Sequence, residues 1–196
     1  RQANKLETTA RIKTFPLDLL DENQVQKAIG KVVEVFGGID MAVLTVGGFA
    51  LGSLADTGED ELNKLYRLNF LSAYHTARKV FLQMQTQEDG GQLIFTGSRP
   101  AMHPPSARGM ISYAFSKSLV FRLAEVINEE GKGSGITATV IVPGTIDTPQ
   151  NRAAMPDADF NAWVSVQDIA DNIYHLSTPA GKQLRETILK VYGNSQ

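Results

Sequence analysis

The sequence contains no cysteine among its 196 residues. This absence excludes a disulfide framework, a thiolate metal site and cysteine nucleophiles, while it leaves the redox compartment open. Histidine is scarce as well: only His75, His103 and His175 are present, and no two of them stand at ligand spacing. We therefore predict no metal site and interpret each histidine as a surface or loop residue.

Long runs of one kind of residue are also missing. The formal net charge is −2, and basic residues occur singly or in pairs, which argues against a nucleic-acid or anionic-lipid surface. No apolar run approaches the ~18 residues of a membrane span, and the first residues contain no apolar signal-peptide region. We expect a cytoplasmic protein whose partner is a small molecule, with neither nucleic acid nor a membrane as partner.

Short runs rich in β-branched residues alternate with longer stretches of helical periodicity. With 42% hydrophobic residues, the chain fits a single domain over residues 1–196. The predicted strands are 12–17, 39–46, 92–96, 136–142 and 187–192. The predicted helices are 22–36, 59–84, 111–130 and 165–175, and glycines at 37, 38 and 131 mark helix ends.

The strand sequences indicate how the sheet is covered. Segment 138–142, Ala-Thr-Val-Ile-Val, has little alternation, which is typical of a parallel strand buried on both faces. We predict a doubly wound α/β domain. In such domains ligands bind beyond the carboxyl ends of the strands, so the residues that follow each strand are the candidates for a site.

Tyr113 and Lys117 stand four residues apart in a predicted helix, which places them on one face, one turn from each other. A phenol with a pKa near ~10 is a poor base at neutral pH, but a neighbouring cation favours its phenolate. Lys117 is a candidate for that cation. The alternative is an ordinary pair on a helix surface.

Ser98 follows Gly97 and the predicted strand 92–96. A hydroxyl at that position could hold a carbonyl oxygen, although serine is also common in turns and at helix N-termini. Three other predicted strands are followed by similar features: a Pro-Gly turn at 143–144, a glycine pair at 47–48 and the Asp18 carboxylate. Glycine lets a ligand approach the backbone closely.

This ordered set of residues resembles the short-chain dehydrogenase/reductase family along nearly the whole chain. The resemblance implies a Rossmann-type sheet and an NAD(P)-dependent oxidoreductase that reduces a carbonyl or oxidises an alcohol of a small molecule. It implies that Ser98 orients the substrate oxygen, Tyr113 acts as general acid or base, and Lys117 binds the nicotinamide ribose and lowers the tyrosine pKa. Asn69 matches the asparagine that holds a proton-relay water chain to the lysine.

The resemblance also assigns cofactor contacts. Asp18 and the Leu19 backbone would contact the adenine ring. Residues Val46, Gly47 and Gly48 replace part of the family's Asn-Asn-Ala-Gly stretch, without its asparagines. The residues on the nicotinamide side would be Pro143, Gly144, Ile146 and Thr148, beside Tyr113 and Lys117.

The family's first strand and its glycine-rich turn are absent, since no Thr-Gly-x-x-x-Gly-x-Gly occurs. Residues 1–6 resemble the Arg-x-x-x-Lys-Leu that follows the family's second strand. We therefore expect an N-terminally incomplete chain that lacks the first strand-helix unit and binds dinucleotide poorly. Arg1 could contact a 2′-phosphate, which favours NADP, while NAD stays open because the same arginine also occurs in NAD-selective members.

A narrower resemblance covers residues 147–160 and Trp163, which are similar to the corresponding stretch of quinonoid dihydropteridine reductase-like bacterial members of the family. Those proteins lack the serine and asparagine that this chain has at 98 and 69. Pteridine reduction is one alternative, and a catalytically silent dinucleotide sensor or interaction module is another. A hydrolase that uses Ser98 and His103 ranks last because no Gly-x-Ser-x-Gly occurs.

The predicted helices 59–84 and 111–130 carry more apolar residues than one covered face needs. In the family that the sequence resembles, their counterparts pair into a four-helix subunit interface. We therefore expect a homodimer or a homotetramer.

Overall fold

A computed structural model describes residues 11–194 of the chain. Its centre is a four-stranded parallel sheet in the order β1-β2-β3-β4. The strands are β1 (Met41–Leu44), β2 (Gly91–Thr96), β3 (Ile136–Pro143) and β4 (Ile188–Val191). Four predicted strands are therefore confirmed, with the two outer ones shorter than predicted.

Seven α-helices surround the sheet in the described part of the chain. They are α1 (Glu22–Phe36), α2 (Glu59–Leu65), α3 (Ser72–Met84), α4 (Arg99–Met102), α5 (Ile111–Glu130), α6 (Pro149–Ala154) and α7 (Val166–Ser177). The ends of α1 follow from its sequence: the Asp21 side chain accepts hydrogen bonds from the first turn, and Gly37 closes the helix at φ 84°, a conformation that favours glycine.

The predicted strand 12–17 is wrong. These residues form no regular element and pair with none of the strands between residues 11 and 194. Pro16 has no N–H to donate to a sheet ladder. A run of β-formers becomes a strand only when a neighbour pairs with it, and the sequence pattern does not contain that information.

The predicted helix 59–84 is one helical run with an interruption. Between α2 and α3 the backbone takes the wider π-helical form at Tyr66–Leu71. Segments of this kind are rare and occur frequently at functional sites. The interruption contains Asn69, which is only 1% exposed.

Apolar layers cover both faces of the sheet, which confirms the doubly wound α/β prediction. On one face, β2 and β3 side chains such as Leu93 and Val140 pack with residues of α1, α3 and α5. On the other face, Ile94 and Ile141 pack against Leu176 of α7. The carboxyl ends of all four strands lie at one edge between these layers. No helix within residues 11–194 is long and apolar enough to cross a membrane.

Candidate active site

Four predicted site residues meet at the carboxyl edge of the sheet. Ser98 comes two residues after β2, Tyr113 and Lys117 lie one turn apart on α5, and Asn69 lies in the π-helical segment. Asn69, Ser98 and Lys117 are buried, and Tyr113 is partly buried. Helix α5 packs against both the π-helical segment and β2, which brings the four positions together.

Asn69 fixes the loop that follows β1. Its Oδ1 accepts a hydrogen bond from Gly48 N at 2.7 Å, and its Nδ2 donates to Gly48 O at 3.1 Å and to Ser116 Oγ at 2.9 Å. A Cβ on Gly47 would lie 2.9 Å from Asn69 Oδ1 and 3.1 Å from Lys117 Nζ. Only glycine therefore fits at position 47 without displacing these two side chains.

Lys117 is a buried cation beside the end of β2. It is 5% exposed, and its Nζ donates to Thr96 O at 2.8 Å. Burial lowers the pKa of its ammonium group to about 8, because desolvation disfavours the charged form. Since this value still lies above neutral pH, Lys117 is mostly charged at pH 7.

The pKa of Tyr113 differs from the sequence-based expectation. Burial raises the pKa of its phenol, and the nearby Ser98 hydroxyl, which favours the phenolate, offsets part of that rise. Lys117 is not among the groups that shift this pKa, and its Nζ donates to Thr96 O. The expectation that the lysine brings the tyrosine pKa toward neutrality is therefore not met, and Tyr113 is a protonated phenol at pH 7.

Ser98 presents a hydroxyl that the protein leaves available. Its Oγ is buried and completes no hydrogen bond of regular geometry with the described residues, although it lies close enough to Tyr113 to influence the phenol. The Phe49 ring meets the Tyr113 ring edge-on, with centroids 5.1 Å apart. A buried hydroxyl without a partner is costly, and a bound carbonyl oxygen would supply the missing partner.

The residues assigned to the adenine side lie near each other. Leu19 and Val46 line a cavity of about 190 Å³ together with Thr45, Ala73 and Thr76. The Asp18 carboxylate is exposed, and its Oδ1 accepts a hydrogen bond from Leu20 N at 2.9 Å. Part of its hydrogen-bonding capacity is thus used within its own turn.

The residues assigned to the nicotinamide side follow β3. Gly144 N donates to Val191 O at 2.8 Å, which extends the sheet past Pro143. Ile146 O accepts a hydrogen bond from Asn151 Nδ2, and the Thr148 hydroxyl accepts one from Asn151 N as the N-cap of α6. These contacts hold the loop in place at the same edge as Ser98.

The remaining predictions concern Arg1 and metals. Arg1 lies outside the described residues, so its proposed contact is not represented in the structure. Between residues 11 and 194, no cluster of three or more His, Asp or Glu side chains could hold a metal ion. His103 lies on the surface, with its Nδ1 3.2 Å from Ser106 Oγ.

Sequence reasoning missed three residues of this region. Ser116 accepts the Asn69 amide across 47 positions of sequence, a contact with no local pattern. Phe49 could have been noticed because it follows the predicted glycine pair. Arg99 directly follows Ser98, and its guanidinium carbon lies 5.4 Å from the centre of the Tyr192 ring.

The chain is similar to known proteins over most of its length. The sequence model of the short chain dehydrogenase family matches residues 1–159. Dihydropteridine reductase of Dictyostelium discoideum is 28% identical over 168 residues, which is 84% of this chain and 71% of that protein. The cyclic-di-GMP-binding biofilm dispersal mediator protein of Escherichia coli (strain K12) is 32% identical over 132 residues, which is 67% of this chain and 54% of that protein.

A solved structure agrees with these relatives. The short-chain dehydrogenase/reductase from Serratia marcescens BCRC 10948 is 26% identical, with a TM-score of 0.79 over 93% of this chain and 76% of that chain. The fold and the family match therefore point in the same direction. Because the family model covers more than half of the sequence, the chain belongs to the short-chain dehydrogenase/reductase family, whose members are NAD(P)-dependent oxidoreductases.

Proposed function

We propose that the protein reduces the carbonyl group of a small molecule, with Tyr113 as proton donor and Ser98 as the hydroxyl that orients the substrate oxygen. The observation that carries this proposal is the buried Ser98 hydroxyl, which completes no hydrogen bond of regular geometry and lies beside the protonated phenol of Tyr113. A protonated phenol is an acid, which favours the reductive direction over alcohol oxidation.

The chemistry of the step follows from these groups. Ser98 Oγ donates a hydrogen bond to the carbonyl oxygen, which polarises the C=O bond. A nicotinamide, when bound, supplies a hydride to the carbonyl carbon. Tyr113 gives its phenolic proton to the oxygen, so the product is an alcohol and the tyrosine is left as phenolate, which takes a new proton from the surroundings.

Lys117 and Asn69 assist this step through charge and positioning. Lys117 carries a positive charge at neutral pH because its pKa is about 8, and a buried cation one turn away favours the phenolate that Tyr113 becomes. Asn69 is a positioning residue: by holding Gly48 from both sides, it keeps the loop after β1 against the site.

The described residues fit a dinucleotide. Gly47 and Gly48 carry no side chains, so a flat group can approach the backbone there closely. The cavity between Leu19 and Val46 suits a ring, and Lys117 would bind the ribose hydroxyls. Arg1 favours NADP over NAD, in line with the expected contact to a 2′-phosphate.

Two named relatives motivate alternatives. The Dictyostelium discoideum relative is a dihydropteridine reductase, which makes a quinonoid dihydropterin a second candidate substrate. The Escherichia coli relative is named for binding cyclic-di-GMP, which makes cyclic-di-GMP a candidate ligand for a sensor or interaction role. The buried set of Ser98, Tyr113 and Lys117 favours reduction, because a sensor has no chemical need for a proton donor.

The test uses the full chain. NADPH and NADH oxidation is followed at 340 nm with a panel of small ketones, aldehydes and quinonoid dihydropterin. We expect carbonyl-dependent oxidation, faster with NADPH. Turnover of the dihydropterin alone would replace the carbonyl substrate with a pteridine. Tight cyclic-di-GMP binding without any turnover would overturn the proposal in favour of the sensor.

We also propose a homodimer or a homotetramer formed through the helical run 59–84 and α5. Three apolar side chains of α5 that recur at helical spacing are solvent-exposed in the single chain: Phe115 (56%), Leu119 (39%) and Val126 (45%). Tyr66 and Tyr74, on the helical run 59–84, are 39% exposed. An apolar surface of this kind indicates an interface with another protein surface.

Phe115→Lys should shift the sedimentation coefficient of the full-length protein from that of a dimer or tetramer to that of a smaller species. A buried lysine at the interface would lack a partner for its charge. Val35→Lys is the matched control, since Val35 of α1 is 48% exposed but lies on another surface. An unchanged sedimentation coefficient for Phe115→Lys would place the subunit interface elsewhere.

A further inference from the structure

Within residues 11–194, the arginine that follows Ser98 has no acidic partner. Arg99 is the first residue of α4 and is half-buried. Among the described residues, no salt bridge or hydrogen bond engages its guanidinium, whose one recorded interaction is with the Tyr192 ring. By contrast, Arg152 beyond β3 is bound by both carboxylate oxygens of Asp147, at 2.6 and 2.8 Å. The N–H donors of Arg99 therefore remain available.

The guanidinium lies at the same edge as the candidate site. Arg99 directly follows Ser98, beyond the end of β2. Its guanidinium lies over the ring of Tyr192, which directly follows β4. Since β3 lies between β2 and β4, this contact joins segments on the two sides of β3 at the carboxyl edge of the sheet. Helix α4 also packs against α5, which carries Tyr113.

The contact with Tyr192 prepares this cation for a ligand. An arginine over an aromatic ring is held by the face of the ring, and the ring takes none of the guanidinium N–H donors. Those donors form a rigid planar fork that matches the two oxygens of a carboxylate. A half-buried fork of this kind, on the residue next to the buried Ser98, favours an anionic ligand.

We infer that Arg99 binds a carboxylate of the substrate, so that the substrates are small oxo acids. The inference rests on the proposed function and names the substrate class of that site. The carbonyl is reduced at Ser98 and Tyr113, while the carboxylate, held by Arg99, is unchanged. The balanced reaction takes an oxo acid, NAD(P)H and one proton to a hydroxy acid and NAD(P)⁺.

The test compares acids with their esters, using the full-length protein and its cofactor at pH 7. The probes are acetoacetate and methyl acetoacetate, and 4-oxopentanoate and its methyl ester. We expect kcat/KM to favour each acid over its ester by about tenfold or more, the range for a lost charged hydrogen bond. Arg99→Met, which keeps an unbranched side chain and removes the guanidinium, should abolish this preference by lowering kcat/KM for the acids more than for their esters.

Arg185→Met is the matched control, because Arg185 is an exposed arginine that precedes β4, at the opposite edge of the sheet. It removes the same charge and should not change the ratio of acid to ester. An equal loss for acid and ester in Arg99→Met, or no acid preference in the wild-type protein, would overturn the inference. Hydroxyacetone phosphate and hydroxyacetone test a phosphate ligand in the same way. If Arg99→Met lowers the kcat/KM preference for hydroxyacetone phosphate over hydroxyacetone more than it lowers the preference for the acids over their esters, the ligand of Arg99 is a phosphate and not a carboxylate.

If the protein does not catalyse carbonyl reduction, carboxylate binding by Arg99 can still be tested by itself. If no probe is reduced, calorimetric titration of the cofactor-bound protein with 4-oxopentanoate decides about Arg99 separately. Binding that is lost in Arg99→Met and kept in Arg185→Met would support the carboxylate site without the reaction. Equal binding, or no binding, by wild type and Arg99→Met would overturn it.

Discussion

Tyr113→Phe should lower kcat for carbonyl reduction by about a thousandfold, within the range that general acid catalysis contributes. The substitution removes one oxygen atom and keeps the ring, so the edge-on contact with Phe49 at 5.1 Å remains. Without the phenolic proton, the oxygen of the product must be protonated by water. Stopped-flow or steady-state oxidation of NADPH at 340 nm measures the change, and fluorescence titration should show that NADPH binding falls far less than kcat.

Tyr174→Phe provides the control for this result. Tyr174 lies on α7 and is 73% exposed, so the loss of its hydroxyl should leave kcat unchanged. A Tyr113→Phe variant that retains more than about a tenth of the wild-type kcat would contradict the role of Tyr113 as proton donor, since such a loss is below the ~100-fold minimum for this kind of catalysis.

The candidate site could be predicted from the sequence where its residues follow strands or share a helix turn. Ser98 follows a strand whose apolar pattern is clear, and Tyr113 and Lys117 are four residues apart on a long helix. Parallel strands end at the same edge of a sheet, so these positions converge once the order of elements is known. The contacts that cannot be read this way join distant segments, as Asn69 and Ser116 do over 47 positions.

In the fold, too, features set by local sequence could be predicted, and features that depend on distant segments could not. The bounds of α1 and α5 match the prediction because the signals that end a helix, such as Asp21 and Gly37 around α1, and helical periodicity are local. The π-helical segment Tyr66–Leu71 was not predicted, since apolar residues occur on several faces of that stretch. Residues 12–17 have the composition of a strand, but strand formation depends on a partner segment. The pKa of Tyr113 is likewise a property of burial and not of its spacing from Lys117.

Lys117→Met should stabilise the folded protein at pH 7 while it lowers kcat for reduction by about 100-fold or more. The folded protein binds the Lys117 proton with a pKa of about 8, against 10.5 for an ordinary lysine. At pH 7 the lysine is charged in both the folded and the unfolded chain, so the full cost of burying the cation reduces the free energy of unfolding. The two pKa values correspond to a cost of about 3 kcal/mol.

The sign of the pH dependence follows from proton binding. Between pH 8 and 10.5 the unfolded chain holds a proton that folded Lys117 has released, so the free energy of unfolding of the wild-type protein rises with pH in this window. Lys117→Met lacks this contribution. Urea titrations of both proteins at pH 7, 8, 9 and 10 should show the stability advantage of the variant shrinking as pH rises.

Lys31→Met, on the exposed side of α1, is the control and should leave the slope of stability against pH unchanged. A constant difference between Lys117→Met and wild type from pH 7 to 10 would contradict the depressed pKa of Lys117. Full activity of the variant would remove Lys117 from the reaction. If both expectations hold, Lys117 lowers the stability of the folded protein and is needed for activity, because its positive charge stabilises the phenolate left by Tyr113. Stability and activity then make opposite demands on this one residue.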